Sequence, residues 1–68
     1  MEQYKARTAE QLDSVILAAA DGSPVDMVRT AGEYLAAVDI AARDLTEDQQ
    51  EQACREAIQA VCSILQGN

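Results

Sequence analysis

Apolar residues recur three and four positions apart over three stretches of the chain. In the first, Ala9, Leu12, Ile16 and Ala19 follow this spacing, with Val15 beside them. In the second, Val28, Ala31, Leu35, Val38, Ala42 and Leu45 continue it, and Met27, Tyr34 and Ala41 widen the stripe on one side. In the third, Cys54, Ile58, Val61 and Leu65 repeat it, with Ala57 and Ile64 alongside. Such spacing places the apolar side chains on one face of a helix.

Two punctuation points divide the stretches. At "DGSPVD", Asp21 to Asp26, Gly22 suits the left-handed residue that closes a helix, and Ser23 is a good N-cap. Pro24 then falls at the first helical position, and Asp26 stands at capping-box distance from Ser23. At "DLTEDQ", Asp44 to Gln49, Thr46 and Gln49 form a second capping box, and Glu47 and Asp48 put negative charge in a first turn. Gly67 is a C-terminal cap candidate. The pattern predicts helices over about 3–20, 24–43 and 47–66. With connections this short, neighbours run antiparallel. The expected fold is all-α, a small antiparallel three-helix bundle forming one domain over residues 1–68.

Composition sharpens the picture. The chain has 68 residues, no Trp, Phe or His, and two aromatics, Tyr4 and Tyr34. Its core must come from Leu, Ile, Val, Met and many Ala. A core of that size is thin, and small chains commonly add self-association or another staple. A homodimer is therefore expected. The net charge of −7 disfavours nucleic acid and anionic membranes, which call for clustered Lys and Arg. No apolar run reaches the length of a membrane span, and the first residues lack the apolar core of a secretory signal, so a cytoplasmic location is expected.

Candidate chemistry is sparse. With no histidine there is no imidazole base for Ser14, Ser23, Ser63 or either cysteine, and no glycine-rich phosphate loop occurs. Neither an enzyme nor a cofactor is expected. Cys54 and Cys62 lie eight residues apart on one predicted helix, about 12 Å along its axis, too far for an intrachain disulfide or a shared metal. Cys54 reads as core filling. Cys62, at the edge of the stripe, is a candidate reactive or intersubunit thiol. The acidic cluster Asp44, Glu47, Asp48 and Glu51 lacks the glycine and ligand spacing of a calcium loop, so no metal site is assigned.

The residues outside the core stripe carry the functional reading. Val25, Gly32, Ala36 and Ile40 lie on the far side of the second helix, bordered by Arg29 and Arg43. A helical glycine costs about 1 kcal/mol against alanine, and close approach by another backbone is one reason to accept that. These six residues are the candidate partner or dimer interface of a small acidic interaction module: an adaptor, small chaperone or inhibitor acting by steric occupation. The alternative is an inhibitor of the phage or mobile-element type. It would block a basic nucleic-acid-binding protein with Asp13, Glu33, Asp39, Glu47, Asp48, Glu51 and Glu56. As a minor alternative, "DSV" at Asp13-Ser14-Val15 resembles the Asp-Ser-Leu phosphopantetheine attachment motif of acyl carrier proteins, with the third residue changed. The resemblance implies modification at Ser14. It departs from that family in placing the serine inside a predicted helix.

Overall fold

The two punctuation points divide the chain as expected. The computed structural model describes residues 2–67 and contains three α-helices: α1 (Glu2–Asp21), α2 (Pro24–Ala41) and α3 (Glu47–Leu65). Gly22 takes φ +72° and closes α1, its N–H donating to the carbonyls of Ala18 and Ala19. Ser23 then caps α2 by accepting from the Asp26 N–H at 3.4 Å. The return half of that box is not made, because the Asp26 carboxylate pairs with Arg29. The second box is complete: Thr46 Oγ1 accepts from the Gln49 N–H, and Gln49 Oε1 accepts from the Thr46 N–H, both at 3.3 Å.

Helix α2 ends earlier than the expected 43. Its last residues, Ala42–Asp44, tighten into a 3-10 turn that supplies partners for terminal carbonyls. Gln50 then reaches back to donate to the Leu45 carbonyl at 2.9 Å, closing the connection. Gly67, at φ +81°, bonds to the Ile64 carbonyl and finishes α3.

The helices run up, down and up in a body of 36 × 17 × 16 Å, the long axis matching one helix of about 30 Å. An ion pair between Arg7 and Asp44, at 3.8 Å, ties the start of α1 to the α2–α3 connection. This is the expected small antiparallel helical bundle.

The faces turned inward differ from the expected ones. The core is Tyr4, Val15, Ala31, Tyr34, Val38, Ala42, Ala53, Ala57 and Val61, with Ala18, Thr8 and Thr30 also buried. Ile16, Val28, Ile58 and Leu65, which the spacing placed in the core, are 47%, 75%, 52% and 49% exposed. Ala9 is exposed as well, and Cys54 is half-buried rather than central. In α1 the true inner stripe is the expected one moved back by a single residue, to Thr8, Val15 and Ala18; in α3 it extends back onto Ala53 and Ala57, with Val61 buried as expected and Ala60 and Ile64 half-buried. In α2 and its last turn the expected stripe holds, with Ala31, Tyr34, Val38 and Ala42 buried and Thr30 joining them, and only Val28 stands out.

The cause is close packing. Alanine lets helix backbones approach, and the approach is what encloses the two tyrosine rings. The two buried threonines are not orphaned. Thr8 Oγ1 donates to the Tyr4 carbonyl at 2.6 Å and Thr30 Oγ1 to the Asp26 carbonyl at 2.7 Å, so each hydroxyl is satisfied within its own helix.

Candidate interaction surface

The side of α2 away from the core is bare. Val25, Arg29, Gly32, Ala36 and Ile40 fall within an arc of about 80° on that side, at about 100° per residue, and Arg43 follows in the 3-10 turn. All six are exposed, Val25 by 76% and Ile40 by 61%. The guanidinium groups are held along the helix. Arg29 pairs with Glu33 at 3.3 Å and Asp26 at 3.5 Å, and Arg43 pairs with Asp39 at 3.9 Å. Such exposed pairs contribute only a few tenths of a kcal/mol each, but they keep the arginine stems beside the apolar ridge.

Gly32 sits in the middle of this ridge. A methyl group added there would meet no atom within 4 Å, so no part of the chain itself explains the glycine. It forms a notch between the Arg29 and Ala36 turns. Beyond Arg29, a shallow groove between α1 and α2 is lined by Ser14, Leu17, Asp21, Asp26 and Glu33, with Leu17 65% exposed.

The seven acidic residues singled out in the sequence do not behave alike. Glu33 and Asp39 are the arginine partners just described, and Glu51 holds Arg55 at 2.8 Å. Asp13, Glu47 and Asp48 are exposed, and no ion pair among the described residues involves them. Glu56 reaches from α3 to α1 at the edge of the bundle, half-buried. The Tyr4 hydroxyl donates to its Oε2, and Lys5 Nζ lies 3.6 Å from the same oxygen. This anchor joins α1 to α3. It went unseen in the sequence because Tyr4 and Glu56 are 52 positions apart and neither belongs to a motif.

The anchor perturbs both of its groups. The hydrogen bond from Tyr4, then one from Gln52, holds the Glu56 carboxyl below the usual carboxylate range; burial opposes the shift and Lys5 adds to it. Burial first, and the bond to Glu56 second, push the Tyr4 hydroxyl well above its ordinary value. Tyr34 is raised too, by burial and then by Glu56.

The signs follow by linkage. Glu56 titrates lower when folded, so its stabilisation is present above the unfolded carboxylate range and is lost as pH falls through the folded value. Tyr4 titrates higher when folded, so its contribution is present below the unfolded tyrosine value and is lost as pH rises through the folded one. The expected result is a stability gap between wild type and Tyr4→Phe that is widest near neutral pH and shrinks toward acid. Urea unfolding of both proteins across the acid range checks it, and a gap that stays constant would mean the carboxylate has no part in the anchor.

The cysteines are both free, with Cys62 exposed. Ser14 lies in the middle of α1, and its hydroxyl donates to the Glu10 carbonyl at 3.1 Å. No group of three metal-ligating side chains occurs among the described residues, and none of the described helices is long and apolar enough to cross a membrane. No protein-family model matches the chain, and searches of curated proteins and of solved structures find no similar protein.

Proposed function

We propose that the protein is a small acidic interaction module of the cytoplasm, which acts by covering a surface of another protein with the outer face of α2. The observation that supports this is the ridge itself. Val25 and Ile40 stand exposed at either end of a low path over Gly32 and Ala36, bracketed by Arg29 and Arg43. Large apolar side chains around a small-residue notch suit a partner helix that approaches closely, with apolar contact supplying affinity and the arginine rim supplying orientation. No bond is made or broken, and the effect on the partner is steric.

Capture of a partner by the tagged protein tests the reading. Ile40→Glu is expected to abolish capture while the chain stays helical, because Ile40 is 61% exposed and lies outside the core. Gly32→Ala is expected to raise stability by about 1 kcal/mol, since the added methyl has open space, and to weaken capture by closing the notch. A partner held equally well by both variants would refute the ridge.

A second reading rests on Asp13, Glu47 and Asp48, which are exposed without pairing among the described residues. An acidic surface of this kind would block a basic, nucleic-acid-binding partner. The two readings separate on salt. Binding through the carboxylates falls steeply as ionic strength rises, whereas binding through Ile40 changes little.

A further inference from the structure

Of the exposed large aliphatic side chains, Ile16 and Leu17 lie on α1 and Ile40 on the outer ridge of α2, while Val25, Val28, Ile58 and Leu65 fall on the facing flanks of α2 and α3. The Tyr4–Glu56 and Lys5–Glu56 contacts fix which flank of α3 faces α1. Ile58 lies about 160° round the helix from Glu56, so it and Leu65, about 20° from it, stand on the opposite flank, beside α2. On α2, Thr30 marks the flank toward α1, where it shares a groove with Ser14 and Ala18. Exposed Val28 and the partly buried Leu35, which packs against the core, lie about 140–160° round from Thr30, on the flank toward α3. In this antiparallel pair Val28 is therefore level with the Leu65 end and Leu35 with Ile58. The spacing is seven residues on each helix, about 10.5 Å. Val25 extends the strip at its open end.

We infer that a second copy of this chain covers the outer groove between α2 and α3, with Val28, Leu35, Ile58 and Leu65 at its centre. Three observations select that occupant. The first is the core. The largest fully buried side chains are Val15, Val38 and Thr8, a small inventory for a domain that must hold three helices together. Chains of this size make up the deficit with disulfides, metals or self-association, and both cysteines here are free. A permanent copy supplies the missing burial at all times, which a transient partner does not.

The second is area. Val25 and Val28 are exposed by 76% and 75%, and Ile58 and Leu65 by 52% and 49%. These four residues expose on the order of 400 Å² per copy, and the rim with Leu35 and Cys62 brings the patch toward the roughly 600 Å² that marks the lower bound of what stable interfaces bury per partner. The chain's whole surface is 4643 Å², so the patch is a little over the tenth that such interfaces commonly occupy.

The third is charge. Two chains of net charge −7 repel wherever their carboxylates meet. The strip from Val25 to Leu35 and from Ile58 to Leu65 presents no carboxylate. Asp39, Glu47 and Glu51 on the same flanks lie toward the α2–α3 connection, beyond its far end. Two acidic copies thus have one face on which to meet by apolar contact alone.

This inference goes beyond the reading of the α2 ridge and does not rest on it: Ile40 lies about 120° round α2 from Val28, and the two surfaces share only Val25 at the start of the helix. Sedimentation equilibrium and light scattering test it on the full chain. The wild type is expected at twice 7.3 kDa, with a mass that holds or rises as salt is added, since screening relieves the repulsion. Val28→Glu and Ile58→Glu are expected at 7.3 kDa. Leu17→Glu and Ile40→Glu, equally drastic changes on other faces, keep the dimer. If either seam variant fails to fold, the wild type alone decides, because a dimer's Tm rises with protein concentration and a monomer's does not. A 7.3 kDa wild type with a concentration-independent Tm overturns the inference, as does a dimer that survives both seam variants. Loss of partner capture by Ile40→Glu in an intact dimer leaves the two faces separately established.

Discussion

Tyr34→Ala leaves the chain largely unfolded at 25 °C, seen as loss of far-UV circular dichroism and of a cooperative urea transition. Tyr34 is 4% exposed and, with Tyr4, supplies the only rings in a core otherwise made of valines and alanines. Truncating a buried aromatic to alanine costs about 3–5 kcal/mol, the lost transfer energy plus the cavity left behind. A domain of this length seldom has more than about 3–5 kcal/mol in total. The alanines of the core are already buried and carry too little side chain to fill the space. Tyr34→Phe keeps the ring and is expected to stay folded. A Tyr34→Ala protein with a transition close to wild type would show that the tyrosine is peripheral and that the core lies elsewhere.

Ala57→Leu is the second large effect, and it runs against intuition, because leucine is a good helix former and more apolar. Ala57 is 1% exposed and Ala53 is not exposed at all. Their methyl groups set how closely α3 lies against α1 and α2. A larger side chain there forces the helices apart, at a cost of about 1–3 kcal/mol and more where backbones must shift. In a chain this small that is a large fraction of the whole. The matched control is Ala36→Leu, on the bare side of α2, expected within about 0.5 kcal/mol of wild type. Urea midpoints of the two variants give the comparison. Equal stabilities would mean that the inner alanines are not a close-packed seam.

These effects also bear on how the two exposed surfaces arise. Placing alanine and threonine inward turns the aliphatic residues one step outward. In α3 this leaves Ile58 and Leu65 along the α2–α3 groove while the alanines hold the helices together. The α2 ridge needs no such shift, since its residues lie opposite the core face of that helix.

Much of the architecture was legible in the residues. The caps at Ser23 and Thr46, the left-handed glycines Gly22 and Gly67, and the apolar periodicity are local signals, and each acts within one helical turn. They placed all three helices within a few residues of their observed ends. The outer ridge of α2 was legible for the same reason. Val25, Gly32, Ala36 and Ile40 share a side of the helix whatever it packs against, and they stay exposed in the fold. What periodicity left open was which of two adjacent stripes faces inward. Cys54, Ile58 and Leu65 lie only about 100° from Ala53, Ala57 and Ile64, and counting hydrophobicity favours the larger side chains.

Only the tertiary structure decided between them. The choice depends on how near three backbones can come, and that is a property of all three helices together. It depends as well on the Tyr4–Glu56 bond, whose members are 52 positions apart, and on Thr8 and Thr30, whose hydroxyls become compatible with burial only once their own helices accept the hydrogen. The chain determined by itself where helices start and stop, because capping and periodicity are local. The bundle determined which side of each helix became core and which became surface, because close packing is a matter of shape between elements distant in sequence.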